Sequence, residues 1–396
     1  FPLDQSTVSS FANSMASLSA TKQVTEEAED LGEYGLDSPE ITVTIKKSDD
    51  SLMTLNIGDQ LTTGSDYYAS INIEDTVYVV QALVRNTFTK VKNDLMEIEE
   101  LPTLNTELIT GLKVDGSKYS NFSLMYDKEN KEDFSGSSLY PWYITGYYKE
   151  NANADLTAIN ELLANYTSIS FKGGIDYKKE NLARYGLETP KDALTIWYLE
   201  EEAGDVKELT LYLGNQEEQG DFYVRLEGSN RTYTMTESDV TKLFDIDVFS
   251  LTSKTTNLIN IDSISNFSVS TGSISHLYTV DKKTSTDSDG NETTTDIFAV
   301  DGVAYENEEG FRNFYQSIIS LSVDGILPEN ATVSEDAVLH ISFQIKDDVG
   351  KDNKTYTVDY LPYDDENYAV RTNGKILFTI SKEKITTAIE TIKNFK

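Results

Sequence analysis

"LGEYGLDSP" at residues 31–39 returns as "LARYGLETP" at 182–190, with the leading Leu, the Tyr-Gly-Leu and the Pro in the same places. The segments downstream of each copy decide the fold. After the first come "ITVTIKK" (41–47), "LMTLNIGD" (52–59), "DYYASINI" (66–73) and "TVYVV" (76–80). Their apolar/polar alternation and β-branched content predict four short strands joined by Asp, Ser and Gly turns. After the second the order recurs as "ALTIWYL" (193–199), "ELTLYLGN" (208–215), "DFYVRLEG" (221–228) and "RTYTMT" (231–236). Each set closes in a helix. In the first copy Val84, Phe88, Val91 and Leu95 supply the apolar stripe, and in the second Thr236 and Asp239 stand at capping-box spacing.

The repeated joint reads as architecture rather than as a ligand loop. Gly35 and Gly186 can take positive φ, while Pro39 and Pro190 force an extended approach to the first strand. Tyr34, Leu36, Tyr185 and Leu187 then pin the turn to a core. A third copy runs through "AVLHISFQIKD" (337–347), "KTYTVDYLP" (354–362), "NYAVRT" (367–372) and "KILFTIS" (375–381) into a helix striped by Ile385, Ile389, Ile392 and Phe395. Its joint departs, since "TVSEDAVL" (332–339) replaces Tyr-Gly-Leu-x-x-Pro. Tyr68, Tyr223 and Tyr368 align the three copies. A helix precedes each one, marked by Val8-Phe11-Met15-Leu18, Leu156-Ile159-Leu163-Tyr166 and Phe311-Phe314-Tyr315-Ile318-Ile319.

Further strand segments, "NFSLMYD" (121–127) with "PWYITGYY" (141–148), and "ISNFSVST" (264–271) with "SHLYTVDKK" (275–283) and "DIFAVDGVAY" (296–305), precede the helix of the second and third copies. The first copy has no such hairpin, which predicts a module cut short at its N-terminus. The expected organisation is therefore three tandem α+β modules, 1–98, 99–250 and 251–396. Each is an antiparallel sheet with helices packed on one face.

Charge narrows the function classes. The 396 residues carry 67 acidic against 33 basic side chains, net −34, a field that repels nucleic acid and anionic lipid. Cysteine is absent, excluding disulfides, thiolate metal sites and a Cys nucleophile. No apolar run reaches the ~18 residues of a membrane span, so any membrane anchor is expected upstream of Phe1.

Chemistry-bearing constellations are sparse. His276 and His340 each stand alone in a strand, and no nucleotide loop or Gly-x-Ser-x-Gly elbow occurs. Asp287, Asp289, Asn291 and Asp296 in "DSDGNETTTD" (287–296) offer oxygens for calcium, without the EF-hand's spacing or closing Glu; the competing reading is a polar hairpin tip. In "LYPWYITGYY" (139–148), strand alternation places Tyr140, Trp142, Ile144 and Tyr148 on one face and Tyr143 and Tyr147 on the other. One face must bury. The other, unless a helix or neighbouring module covers it, is an aromatic strip for sugar rings or a protein partner.

The joint, the strands ending Gly58-Asp59 and Gly214-Asn215, the aromatic pairs Tyr67-Tyr68 and Phe222-Tyr223, and "FDIDVFSL" (244–251) together resemble the DUF4340 family of bacterial envelope proteins over nearly the whole chain. The resemblance implies an exported or membrane-anchored protein, with some relatives encoded beside ABC-transporter components. It carries no catalytic residues and no cofactor. The expected function is a non-catalytic extracytoplasmic binding or scaffolding role, auxiliary to a transporter, with a protein partner in the envelope. Carbohydrate or cell-wall binding through the strip at 140–148 is the alternative.

Overall fold

A computed structural model describes residues 2–72, 74–130, 139–286, 291–346 and 352–395. The strands assemble into three antiparallel sheets, and helices alternate with the strands along the chain, the expected tandem α+β arrangement. The chain divides into two compact units.

The first unit comprises Phe1–Leu101, Ser170–Glu188 and Asn215–Thr236. Its five-stranded sheet takes in all four strands expected of the first copy: Ile41–Lys46, Leu52–Gln60, Tyr67–Ile71 and Val77–Val80. Alternation does the sorting. Ile41, Val43 and Ile45 turn inward to Leu55, Ile57 and Ala69, where the helices Gln5–Ala16 and Ala82–Phe88 cover them with Met15, Val84 and Phe88. The Phe11 and Phe88 rings meet 5.8 Å apart, between the two helices.

The joint is built as its residues require. Leu31–Tyr34 and Lys179–Tyr185 are 3-10 turns, each ended by a left-handed glycine, Gly35 at φ 67° and Gly186 at φ 73°. Tyr34 packs edge-on against Tyr68 at 5.0 Å and Tyr185 lies tilted against Tyr223 at 4.8 Å, while Leu36 and Leu187 are buried. Gly58 sits at a register shift in the strand opposite, and a Cβ there would lie 2.2 Å from the Tyr34 carbonyl oxygen. The Gly-Asp that ends this strand thus belongs to the same joint.

Three differences from the expected elements have physical causes. The first closing helix stops at Phe88, and Val91 and Leu95 do not continue it. The Thr89 hydroxyl donates to the Asn86 carbonyl at 2.9 Å, and the Asp94 carboxylate takes the Val91 N–H at 3.0 Å to start a separate 3-10 turn, Lys92–Leu95. Second, short strands Lys22–Thr25 and Gly173–Asp176 precede the two joints and pair with Val77–Val80 and Thr232–Met235. Third, the third copy has no 3-10 turn at its joint. Ser334 and Val338 instead donate to the Pro362 and Tyr360 carbonyls, laying that segment along a strand end.

The second unit comprises Pro102–Ile169, Thr189–Gly214 and Glu237–Lys396. One run of strands in it is ordered Lys207–Gln216, Asp192–Tyr198, Ile109–Asp115, Phe122–Tyr126, Trp142–Thr145, Ala152–Asn153. Helix Leu156–Tyr166 packs on the helix Glu237–Phe244, where the Tyr166 hydroxyl donates to the Leu243 carbonyl at 3.1 Å. The other is a nine-stranded sheet whose core is aromatic: Phe267 stacks on Tyr278 at 4.5 Å, Phe298 on Phe311 at 4.2 Å and Phe314 on Phe395 at 4.0 Å. Helix Glu308–Ile319 supplies Phe311 and Phe314, and Phe395 follows helix Lys382–Asn394.

Candidate binding groove and cleft

Between these two sheets, inside the second unit, the segment 252–255 makes hydrogen bonds on both flanks. Ser253 donates to the Asn153 carbonyl at 2.9 Å, and Thr252 bridges Ala154, at the edge strand Ala152–Asn153. Thr255 bridges Ser322, and the Lys254 carbonyl accepts from Val323 at 2.8 Å, just ahead of the opposite edge strand Gly325–Ile326. Sheet edges otherwise present open rows of donors and acceptors, so this seam is where the backbone needs are met across the two.

A groove of about 520 Å³ opens beside the seam. Gly146, at φ 79°, turns the chain after strand Trp142–Thr145 and delivers Tyr147 and Tyr148 to it. Tyr148 is anchored: its hydroxyl hydrogen-bonds the Thr252 hydroxyl at 2.6 Å and its ring meets Phe378 at 5.2 Å. Burial pushes its phenol up to about 12, so it stays protonated. Tyr147 packs edge-on against Tyr148 at 4.9 Å and keeps 37% of its surface exposed. Ile326, Pro328 and Val333 face it from the other wall. Glu329 stands exposed there, while Glu335 is tied to Arg371 at 2.9 Å, and Arg371 to Asp359 at 2.8 Å.

A smaller cleft of about 70 Å³ is lined by Asn153, Ser253, Thr255 and Asn373 together with Tyr356 and Phe378. The Tyr140 hydroxyl reaches Thr255 at 3.0 Å, and its carbonyl accepts from Asn130 at 2.6 Å.

The expected single aromatic strip is thus divided. Trp142 is only 4% exposed and packs edge-on against Tyr126 at 5.4 Å. Tyr143 lies on the opposite face of its strand from Trp142 and Ile144. Tyr148 does not share Trp142's face by alternation, because the strand ends at Thr145 and Gly146 redirects the chain. Of the calcium candidates, Asp287 and Asp289 lie outside the described residues, and Asn291 precedes the strand Glu292–Val300 that holds Asp296. Asp296 is ion-paired with Arg312. Among the described residues no three His, Asp or Glu side chains converge as a metal site. His276 meets Asp301 at 2.7 Å and His340 meets Asp359 at 2.5 Å. Asp301 lies in the turn after strand Glu292–Val300, and Asp359 is joined through Arg371 to Glu335 in the groove lining.

No helix among the described residues is long and apolar enough to cross a membrane. Neither a curated protein nor a solved structure matches the chain at a significant level. A family profile does, over residues 1–138 and 142–339, which take in both Tyr-Gly-Leu joints, the Tyr147–Tyr148 wall and most of the facing one. On that match the chain belongs to the family described as a domain of unknown function, DUF4340.

Proposed function

We propose that this chain is a non-catalytic binding or scaffolding protein of the cell envelope, and that the groove takes an extended segment of a protein partner. The observation that carries the reading is the groove itself: an aromatic wall of Tyr147 and Tyr148 facing Ile326, Pro328 and Val333 across about 520 Å³. Its far wall begins at a sheet-edge strand two residues long, which favours an extended occupant over a helix. The chain's net charge of −34 favours apolar residues interspersed with Lys or Arg, and the lining itself exposes one carboxylate, Glu329, and one ammonium, Lys149.

An extracytoplasmic location is consistent with the absence of cysteine. Family resemblance supports an auxiliary role beside an ABC transporter. The second reading, sugar binding through Tyr140, Trp142, Tyr143, Tyr147 and Tyr148 acting together, is weakened by the burial of Trp142 and by the division of the tyrosines between faces.

Photo-crosslinking in the protein's own cells tests the proposal. A crosslinker at position 147 or 326 should yield one discrete protein adduct, which a crosslinker at the exposed Val303 does not. With the crosslinker at 326, Tyr147→Ala should reduce that adduct about tenfold. Adducts no stronger at 147 and 326 than at 303 would refute the groove as the contact. Recovery of wall glycan with no protein would refute a protein partner.

A further inference from the structure

Trp197 belongs to no sequence motif, yet it stands on the solvated side of its strand, because its neighbours Ile196 and Tyr198 are buried. The register carries a row of side chains outward from it across the sheet. Glu208 lies beside it on one flank; on the other come Gly111, Met125, Tyr143 and Asn153, one from each successive strand. Gly111 is the key to the row. A Cβ at 111 would lie 2.8 Å from the indole Cε3 and 3.5 Å from the Met125 sulfur, so the missing side chain lets the indole cover the backbone. The indole N–H donates to the Glu208 carboxylate at 2.9 Å, which fixes the ring in its plane.

A second row runs parallel two residues along: Thr210, Thr195, Lys113, Ser123 and Thr145. The Thr195 and Thr210 hydroxyls meet at 3.0 Å, and the Lys113 ammonium is held by Asp115 at 2.7 Å. The same face therefore combines aromatic surface at Trp197 and Tyr143 with a line of hydroxyls beside it. The two rings are three strand spacings apart, roughly 14 Å.

We propose that this face is a platform for a neutral, flat β-linked glycan chain laid across the strands. Apolar ring faces of the sugars stack on Trp197, Met125 and Tyr143, and their hydroxyls exchange hydrogen bonds with Thr195, Ser123 and Thr145. Charge selects the class. The one ammonium on the hydroxyl row is already paired and a chain of net −34 repels a polyanion, while the row beside the rings is made of uncharged hydroxyls, which suits an uncharged polyol. At the row's end Asn153 also lines the 70 Å³ cleft, which is too small for a sugar ring and takes no more than a hydroxyl or hydroxymethyl group. The platform shares no residue with the groove, so this proposal and the protein-binding reading can fail separately.

The test is affinity electrophoresis of the whole chain in native gels containing hydroxyethyl cellulose or a mixed-linkage β-glucan, both uncharged β-linked polymers. Retardation by at least one polymer is expected, weakened about tenfold by Trp197→Ala and likewise by Tyr143→Ala. Gly111→Val, which keeps the indole but unseats it, should weaken retardation as well. Fluorescence supplies an independent readout: of the two tryptophans, Trp142 is buried, so an emission change on adding polymer reports Trp197 and must vanish in Trp197→Phe. Unchanged mobility with both polymers overturns the proposal. So does retardation that survives both alanine variants, or retardation by a polyanion such as heparin alone.

Discussion

Gly58 is the residue on which the Tyr-Gly-Leu joint closes. The Tyr34 carbonyl oxygen occupies the space its Cβ would need, and backbone cannot step aside as a flexible side chain can. We expect Gly58→Ala to cost about 2–3 kcal/mol in a denaturant titration. Gly173→Ala is the matched control: it has no atom within 4 Å of the new methyl and no positive φ, so it should be neutral or stabilising by up to about 1 kcal/mol. Equal losses at the two positions would show that the close approach at the joint is not what matters. In the second copy's joint Gly186 is required on a different ground: its φ of 73° is left-handed, and the Asn215 side chain lies 2.6 Å from its would-be Cβ. The positive φ of these turns and the Tyr and Leu that pin them to a core were legible in the sequence. That the glycine of a Gly-Asp pair some twenty residues on lies under the same turn depends on a strand crossing it, which no local pattern records.

At the scale of elements, what the period-2 alternation could carry was legible, and what it could not was missed. All twelve strands after the three joints lie where the alternation put them. Lys22–Thr25, Gly173–Asp176 and Gly325–Ile326 escaped, being two to four residues long and defined by a partner far along the chain. Ile109–Asp115 escaped because Gly111 interrupts its pattern, and that same glycine seats Trp197. The aromatic strip was legible as a run of rings, but its faces were not legible beyond Thr145, since alternation stops where Gly146 turns.

Helix ends obey simpler rules. Asp4 caps helix Gln5–Ala16, accepting from the Thr7 hydroxyl at 2.6 Å and from the Ser6 hydroxyl and N–H at 2.8 and 2.9 Å. These bonds lower its carboxyl from 3.8 to about 2. A folded-state value below the unfolded one means that the cap stabilises fully above about pH 4 and loses its effect as pH falls through about 2. Amide protection in the first turn should fall over that window, and Asp4→Asn should abolish the step; a flat profile in the wild type would exclude the cap's role.

For the molecule as a whole, 67 acidic against 33 basic side chains make self-repulsion a general destabilising load. Raising NaCl from about 0.01 to 1 M shortens the screening length from about 30 Å to about 3 Å. The thermal midpoint should rise by on the order of 2–4 °C. A fall with salt would mean that the surface ion pairs, such as Lys282–Asp262 at 2.9 Å, outweigh the repulsion. The order in which strands pair also bears on how the chain is made. Lys22 pairs with Val79, Gly173 with Thr234 and Gly325 with Thr379, so in every copy the strand ahead of the joint is completed by the last strand of the set. A chain emerging from its N-terminus must hold each opening strand unpaired until the whole copy has emerged. Folding then advances in steps, one sheet closure at a time, and a ribosome or export channel that pauses inside a copy leaves an adhesive edge exposed for the length of the pause.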